Sequence, residues 1–263
     1  MLSVSGLAAL DPAFLAVMAG VLGAMIGSFV TVVAHRVPAG ESFVTGRSHC
    51  PGCHSQVAAY DNVPILSWLA LRGRCRSCSE PISARYPVTE AVVAAAFVAT
   101  VLSLRSAGTG EVVLGLAFVG VLAAITLTDL ELRIIPNKIV AFGAIAAIVV
   151  CLGFGLGDWP SRLIGAVAGG GVFLIVTLAY PGGMGMGDVK LVAMMGLFLG
   201  SALAPAILSA LVAGSAVGLA TVARHGSEAR KRTLAFGPFL ALGGLVGLWF
   251  GADVIAWYLG LLG

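Results

Sequence analysis

Residues 112–136 read Val112-Val-Leu-Gly-Leu-Ala-Phe-Val-Gly-Val-Leu-Ala-Ala-Ile-Thr-Leu-Thr128, then Asp129-Leu-Glu-Leu-Arg-Ile-Ile-Pro136. The first seventeen carry no charge. A helix needs about 17–25 apolar residues to cross a bilayer, so this run is long enough. It stops at an acid, a basic residue and a proline, where a span meets water. Similar runs recur over Ala13–Ala34, Pro87–Leu104, Ile139–Phe154, Arg162–Tyr180, Val189–Leu203, Ala206–Ala223 and Leu234–Leu261. The pattern predicts an all-α polytopic membrane protein with about eight transmembrane helices. It divides into a first helix (1–35), a loop (36–86) and a seven-helix membrane core (87–263).

Composition agrees. Of 263 residues, 59% are hydrophobic and 10% charged, and mean hydropathy is +1.04. Soluble domains carry about 25% charged residues, so a water-facing surface cannot be assembled here. The chain is too apolar for disorder. A net charge of +3 with no basic stripe argues against a nucleic-acid partner. The first run lacks a basic segment before it and a small-residue cleavage site after it, so it reads as a retained span. The lipid bilayer is the first partner implied.

Basic residues set the orientation. Arg36, Arg47, Arg72, Arg74, Arg76 and Arg85 lie in the first loop, Arg133, Lys138 and Lys190 near later span ends, and Arg224, Arg230, Lys231 and Arg232 before the last span. With 189–223 split near Gly200 and Pro205, thirteen of the fifteen basic residues share one side, leaving Arg105 and Arg162 opposite. Read as one span, 189–223 gives nine against six. The positive-inside rule selects the split and places the loop in the cytoplasm, with both termini outside.

That loop holds Cys50-Pro-Gly-Cys53 and Cys75-Arg-Ser-Cys78. Two such knuckles read as a structural zinc site with four thiolate ligands, closed to water. A redox dithiol and a pair of disulfides are the competing readings, and a reducing cytoplasm favours zinc. His49 and His54 flank the first knuckle as alternative ligands or surface residues. Cys151 lies inside a span and reads as packing.

Acids at span edges are costly and are candidate functional groups. Asp129 ends one span, and Asp188 follows Gly182-Gly-Met-Gly-Met-Gly187 and opens another. Two spans lie between them, so both return to one membrane face. Two close carboxylates share a proton. One acts as base on water while the other, protonated, polarises a carbonyl. The plainer readings are an interfacial charge for Asp129 and an N-cap for Asp188. Glu131 lies two residues from Asp129, off its helical face. Glu90, early in the second span, reads as a helix-dipole partner or a weak cofactor-binding candidate. Lys190 reads as an anchor at the membrane edge. Pro238 reads as a helix-start proline, and Gly169-Gly-Gly171 as helix packing. Asp61, Asn62 and Arg72 read as ordering the loop.

The chain resembles the type IV prepilin leader peptidases, the bifunctional membrane enzymes of type IV pilus and type II secretion systems, from about Gly20 to Leu245. The resemblance is carried by Gly27-Ser-Phe29, His35-Arg-Val-Pro38, the four cysteines, Tyr60 to Leu69, Arg72-Gly-Arg-Cys75 and Ile82 to Glu90. It continues through the Asp129 segment, Gly185-Met-Gly-Asp-Val-Lys-Leu191 and Phe236-Gly-Pro-Phe239. It implies that Asp129 and Asp188 form an aspartic-protease dyad. It implies cleavage of a basic prepilin or pseudopilin leader after glycine, at the cytoplasmic face of the bacterial inner membrane. The zinc-loop cysteines match the family's long form, which is similar to enzymes that also N-methylate the new amino terminus from S-adenosylmethionine. Thr31 stands where the family usually has Asn. From another class, a proton-relaying transporter would show an internal repeat, which is absent. A non-catalytic zinc-stabilised scaffold of a secretion system would tolerate loss of both aspartates.

Overall fold

A computed structural model describes residues 7–42, 48–180, 184–225 and 235–261. Arg47, Gly182, Gly183, Arg230, Lys231, Arg232 and Leu234, used in the sequence reading, lie outside them. The described residues form helices with no strand longer than an isolated bridge. Seven helical stretches are long and apolar enough to cross a membrane, so this is a multi-pass membrane protein. Two compact units can be recognised, and residues 85–102 group with the first helix and the loop.

The first unit comprises α1 (Pro12–Arg36), the short α2 (Leu66–Ala70) and α3 (Arg85–Leu104). Asp11 caps α1, its Oδ1 accepting from the backbone N–H of Ala13 at 2.8 Å and of Phe14 at 3.0 Å. Small residues let α1 and α3 touch. A Cβ added at Gly23 would lie 2.7 Å from the Ala94 Cα, and one at Gly27 would lie 2.8 Å from the Glu90 Cα.

The second unit comprises α4 (Thr109–Leu132), α5 (Asn137–Phe154), α6 (Trp159–Ala179), α7 (Met186–Leu199), α8 (Leu203–His225) and α9 (Gly237–Gly260). Its core lies between α4, α7 and α9. Phe118 and Phe198 stack with ring centroids 4.8 Å apart, and Leu122 and Met195 close on Gly244. Gly169 and Gly170 of α6 sit against Leu203 and Ala193, whereas Gly171 faces open space. Helix packing thus accounts for the first two glycines.

The stretch 186–224 would be about 58 Å long as one helix, nearly twice the hydrocarbon thickness. It breaks at Gly200, whose φ of +56 a side chain tolerates poorly. Pro205 falls in the first turn of α8, where its missing N–H costs little. Gly251 and Gly247 of α9 abut Ala202 and Ala206, while Gly214 abuts Phe236 and Phe239. Therefore α8 runs antiparallel to α9 and back toward the end where α9 begins. The split at Gly200 is a reversal of the chain.

Arg162 secures the far end. It donates to Glu111 Oε1 at 2.8 Å and to the Phe198 carbonyl at the end of α7, and it is 5% exposed. One guanidinium thus ties the starts of α4 and α6 to the last turn of α7, where helical carbonyls lack partners.

Candidate active site and metal centre

Asp129 lies in the last turn of α4 and is buried, at 6% exposure. Its Oδ2 accepts the backbone N–H of Gly237, the first residue of α9, at 2.9 Å. The local sequence explains why that donor is available. The carbonyl of Phe236 receives the N–H groups of Phe239 and Leu240, and Pro238 has none. Gly237 keeps its amide for Asp129, at the positive end of a 24-residue helix. A Cβ on Gly237 would lie 2.6 Å from Asp129 Oδ2, and the three nearest atoms it would meet all belong to Asp129.

Asp188 lies in the first turn of α7, half-buried. Its Oδ2 accepts the Gly185 N–H at 3.2 Å, and its own N–H donates to the Gly185 carbonyl at 3.1 Å. Gly185 is therefore the N-cap of α7, and Asp188, read from the sequence as the N-cap, stands at the third helical position and reaches back to the cap's amide.

The residues after Asp129 pack on the first turn of α7, which carries Asp188, through Ile135 and Gly187. A Cβ at Gly187 would lie 3.0 Å from Ile135 Cβ, and Lys190 Nζ donates to Asn137 Oδ1 at 3.0 Å. Lys190 is therefore a tie between α7 and the start of α5. Sequence reading missed this tie and the Gly237 donor. Phe236-Gly-Pro-Phe239 signals the donor, since a proline after glycine leaves one free amide in the first turn. Glu131, next to the buried acid, is exposed.

In the first unit the two cysteine knuckles share one geometry. Cys50 N–H donates to the Ser55 carbonyl and His54 N–H to the Cys50 carbonyl, both at 2.9 Å. Cys75 N–H donates to Glu80 at 2.8 Å and Ser79 N–H to Cys75 at 2.9 Å. The residue after each second cysteine has positive φ, His54 at 55 and Ser79 at 62. The four Sγ atoms lie within 4.8 Å of one another, and Cys50 Sγ is 3.7 Å from Cys78 Sγ. A tetrahedron with metal–sulfur bonds of about 2.3 Å has an edge of about 3.8 Å, so the spacing fits. A disulfide needs about 2.05 Å, and all four thiols are free. Backbone amides of Cys78 and then Ser77 pull the Cys75 thiol down, while the neighbouring thiols push Cys78 up, so the cluster shares protons among its sulfurs. The four cysteines could thus hold one metal ion, and the described cluster does not include His49 or His54.

Asp61 and Arg76 brace the loop through a bidentate pair at 2.8 and 2.6 Å, which holds the Asp61 carboxyl below its usual range. Glu90 is buried and accepts the Ile65 N–H at 2.7 Å. Its partner is a loop amide, beyond the helix-dipole role read from sequence.

Residues 21–104 match the bacterial peptidase A24 N-terminal domain, and residues 116–222 match the type IV leader peptidase family. The chain belongs to that family. It is a membrane peptidase, which sets aside the transporter and non-catalytic scaffold readings. Among similar proteins is a prepilin leader peptidase/N-methyltransferase of Aeromonas hydrophila, 34% identical over 89% of this chain and 90% of its own. One of Bacillus subtilis is 32% identical over 91% of this chain and 96% of its own. Another, of Pseudomonas putida, is 31% identical over 97% of each. No solved structure matches the chain.

Proposed function

We propose that Asp129 and Asp188 are the catalytic pair of an aspartic endopeptidase. Its substrate is the basic leader of a prepilin or pseudopilin, cut after glycine at the cytoplasmic face of the inner membrane. The observation that supports this reading is the packing of the segment after Asp129 on the first turn of α7, which brings two span-edge carboxyls to one end of the second unit. One carboxylate removes a proton from water as its oxygen attacks the scissile carbonyl. The protonated partner donates to the carbonyl oxygen. The tetrahedral intermediate then collapses: the amine leaves with the proton the first carboxylate took from water, and the hydroxyl made from the carbonyl returns its proton to the partner as the C=O bond reforms. A fixed Asp129 matters because its oxygen must hold position against the attacking water. The Gly237 amide provides that fixity.

The metal is zinc in a structural role, since four thiolates close its shell. The second activity, methyl transfer from S-adenosylmethionine to the new amino terminus, is supported by likeness to bifunctional relatives. Pilus or type II secretion machinery is the implied setting. The test is mass spectrometry of a prepilin-like substrate incubated with detergent-purified protein, with and without S-adenosylmethionine. The expected products are a leader ending in glycine and a mature chain, heavier by one methyl group when the donor is present. An intact substrate with well-folded protein refutes the peptidase assignment. A cleaved, unmethylated product refutes the second activity.

A further inference from the structure

We propose that Asn62–Ala70 of the cysteine-bearing loop is a re-entrant segment, inserted among phospholipid acyl chains in the leaflet on the loop side. The proposal does not depend on the protease reading.

Depth is the first argument. Ile65 donates its N–H to Glu90 Oε2 at 2.7 Å, and Glu90 packs level with Gly27 of α1. Gly27 lies nine residues before Arg36, and Glu90 five residues after Arg85. At about 1.5 Å per residue, Glu90 therefore sits roughly 8–13 Å below the loop-side helix ends. The 25-residue α1 spans about 37 Å, overshooting a hydrocarbon core of about 30 Å by only about 4 Å at each end. Asn62 and Pro64 line a cavity of about 230 Å³ with Met25, Ser28, Phe29 and Val32, well inside α1.

Backbone satisfaction is the second. Non-helical chain is tolerated at membrane depth only when its polar groups have partners. Ile65 has φ 62 and ψ −53, and Leu66 N–H donates to the Pro64 carbonyl at 2.6 Å. This is a γ-turn of positive φ, strained for a β-branched residue. Glu90 takes the amide that the turn leaves over. Val63 N–H donates to Ser67 Oγ and Ser67 N–H to the Val63 carbonyl, both at 3.1 Å. Pro64 has no N–H, so every amide from Val63 to Ser67 has an acceptor.

Side-chain chemistry is the third. Val63, Leu66 and Leu69 are 44%, 65% and 58% exposed. Arg72 and Arg74 follow, exposed, where α2 has ended. Apolar residues at depth followed by arginines fit acyl chains below anionic phosphates. A basic leader peptide would be repelled by the same arginines.

The test is photocrosslinking in vesicles of phosphatidylcholine and phosphatidylglycerol whose acyl chains carry an alkyne tag. Leu66 and Leu69 are replaced, one at a time, by p-benzoylphenylalanine. Phe142, 66% exposed on α5, serves as the lipid-facing control, and exposed Ser77 as the aqueous one. Metal content shows whether each variant retains its loop fold, and either position alone decides the outcome. The expected result is lipid labelling at Leu66 and Leu69 close to that at Phe142 and several-fold above Ser77. Arg72→Gln with Arg74→Gln should lower labelling of the phosphatidylglycerol fraction. Labelling no greater than at Ser77, or crosslinks to protein in place of lipid, would overturn the proposal.

Discussion

Replacing Gly237 by alanine adds one methyl group to the start of α9, and the structure says what it meets. The new Cβ would lie 2.6 Å from Asp129 Oδ2, 3.0 Å from its Cγ and 3.2 Å from its Cβ. Ordinary carbon–oxygen contact is about 3.4 Å or more, so the carboxylate must retreat by about 0.8 Å. That motion stretches the 2.9 Å bond from the Gly237 amide. A hydrogen bond to a charged group contributes about 1.5–3 kcal/mol, or roughly 10- to 150-fold in an equilibrium. Displacing a catalytic group by about 1 Å costs up to about 100-fold in rate. We therefore expect Gly237→Ala to lower kcat about 10- to 100-fold, with KM nearly unchanged. Stretching that bond should also lower stability, by no more than the roughly 1.5–3 kcal/mol such a bond contributes. The assay is leader cleavage at saturating and subsaturating substrate, with thermal unfolding of the same samples. In an Asp129→Ala background the clash is largely gone, and Gly237→Ala should be neutral or stabilising. Full kcat in Gly237→Ala would refute the positioning argument. The same alanine destabilising the Asp129→Ala protein would show that Gly237 is constrained by something other than Asp129.

Three other outcomes follow from the packing and the loop. Gly196→Ala should lower the thermal midpoint of the detergent-purified protein, because its Cβ would strike the backbone of Gly165 and Ala166 where α6 and α7 touch; overpacking of this kind costs about 1–3 kcal/mol. Arg162→Leu leaves Glu111 and the last carbonyls of α7 without their donor, and should destabilise by about 2–4 kcal/mol after allowing for the partial exposure of Glu111; an unchanged midpoint would remove Arg162 from the account of the α7 end. Elemental analysis should find one zinc per chain and none after Cys50→Ser with Cys75→Ser, and cleavage that persists with all four cysteines replaced by serine would make the loop dispensable for proteolysis.

Much of this architecture was legible because a bilayer demands long apolar runs that show directly in sequence. Charge asymmetry then selected the break within 189–223, and Gly200 makes it. The proline nearby was the less informative residue. The cysteine spacing was legible as a cluster of four thiols that could hold a metal ion, since two such turns bring all four Sγ atoms together. The Gly237–Asp129 bond was hidden, because 108 residues separate the partners and an amide donor has no side-chain signature. Glu90 was hidden for a related reason. Its partner is the backbone of Ile65, in a conformation that a β-branched residue rarely adopts. Position along a helix suggested a dipole role, whereas the contact is tertiary. Periodicity also cannot show a loop entering the bilayer, because a five-residue helix has too few turns to display a face.

The most direct test of the central claim is cleavage of a prepilin-like substrate by Asp129→Asn and Asp188→Asn beside the wild type, with products read by mass spectrometry and folding checked by thermal unfolding. Asparagine preserves size and hydrogen bonding to the Gly237 and Gly185 amides but cannot exchange a proton at neutral pH. The account predicts no cleavage by either folded variant. Cleavage surviving either substitution would contradict the dyad.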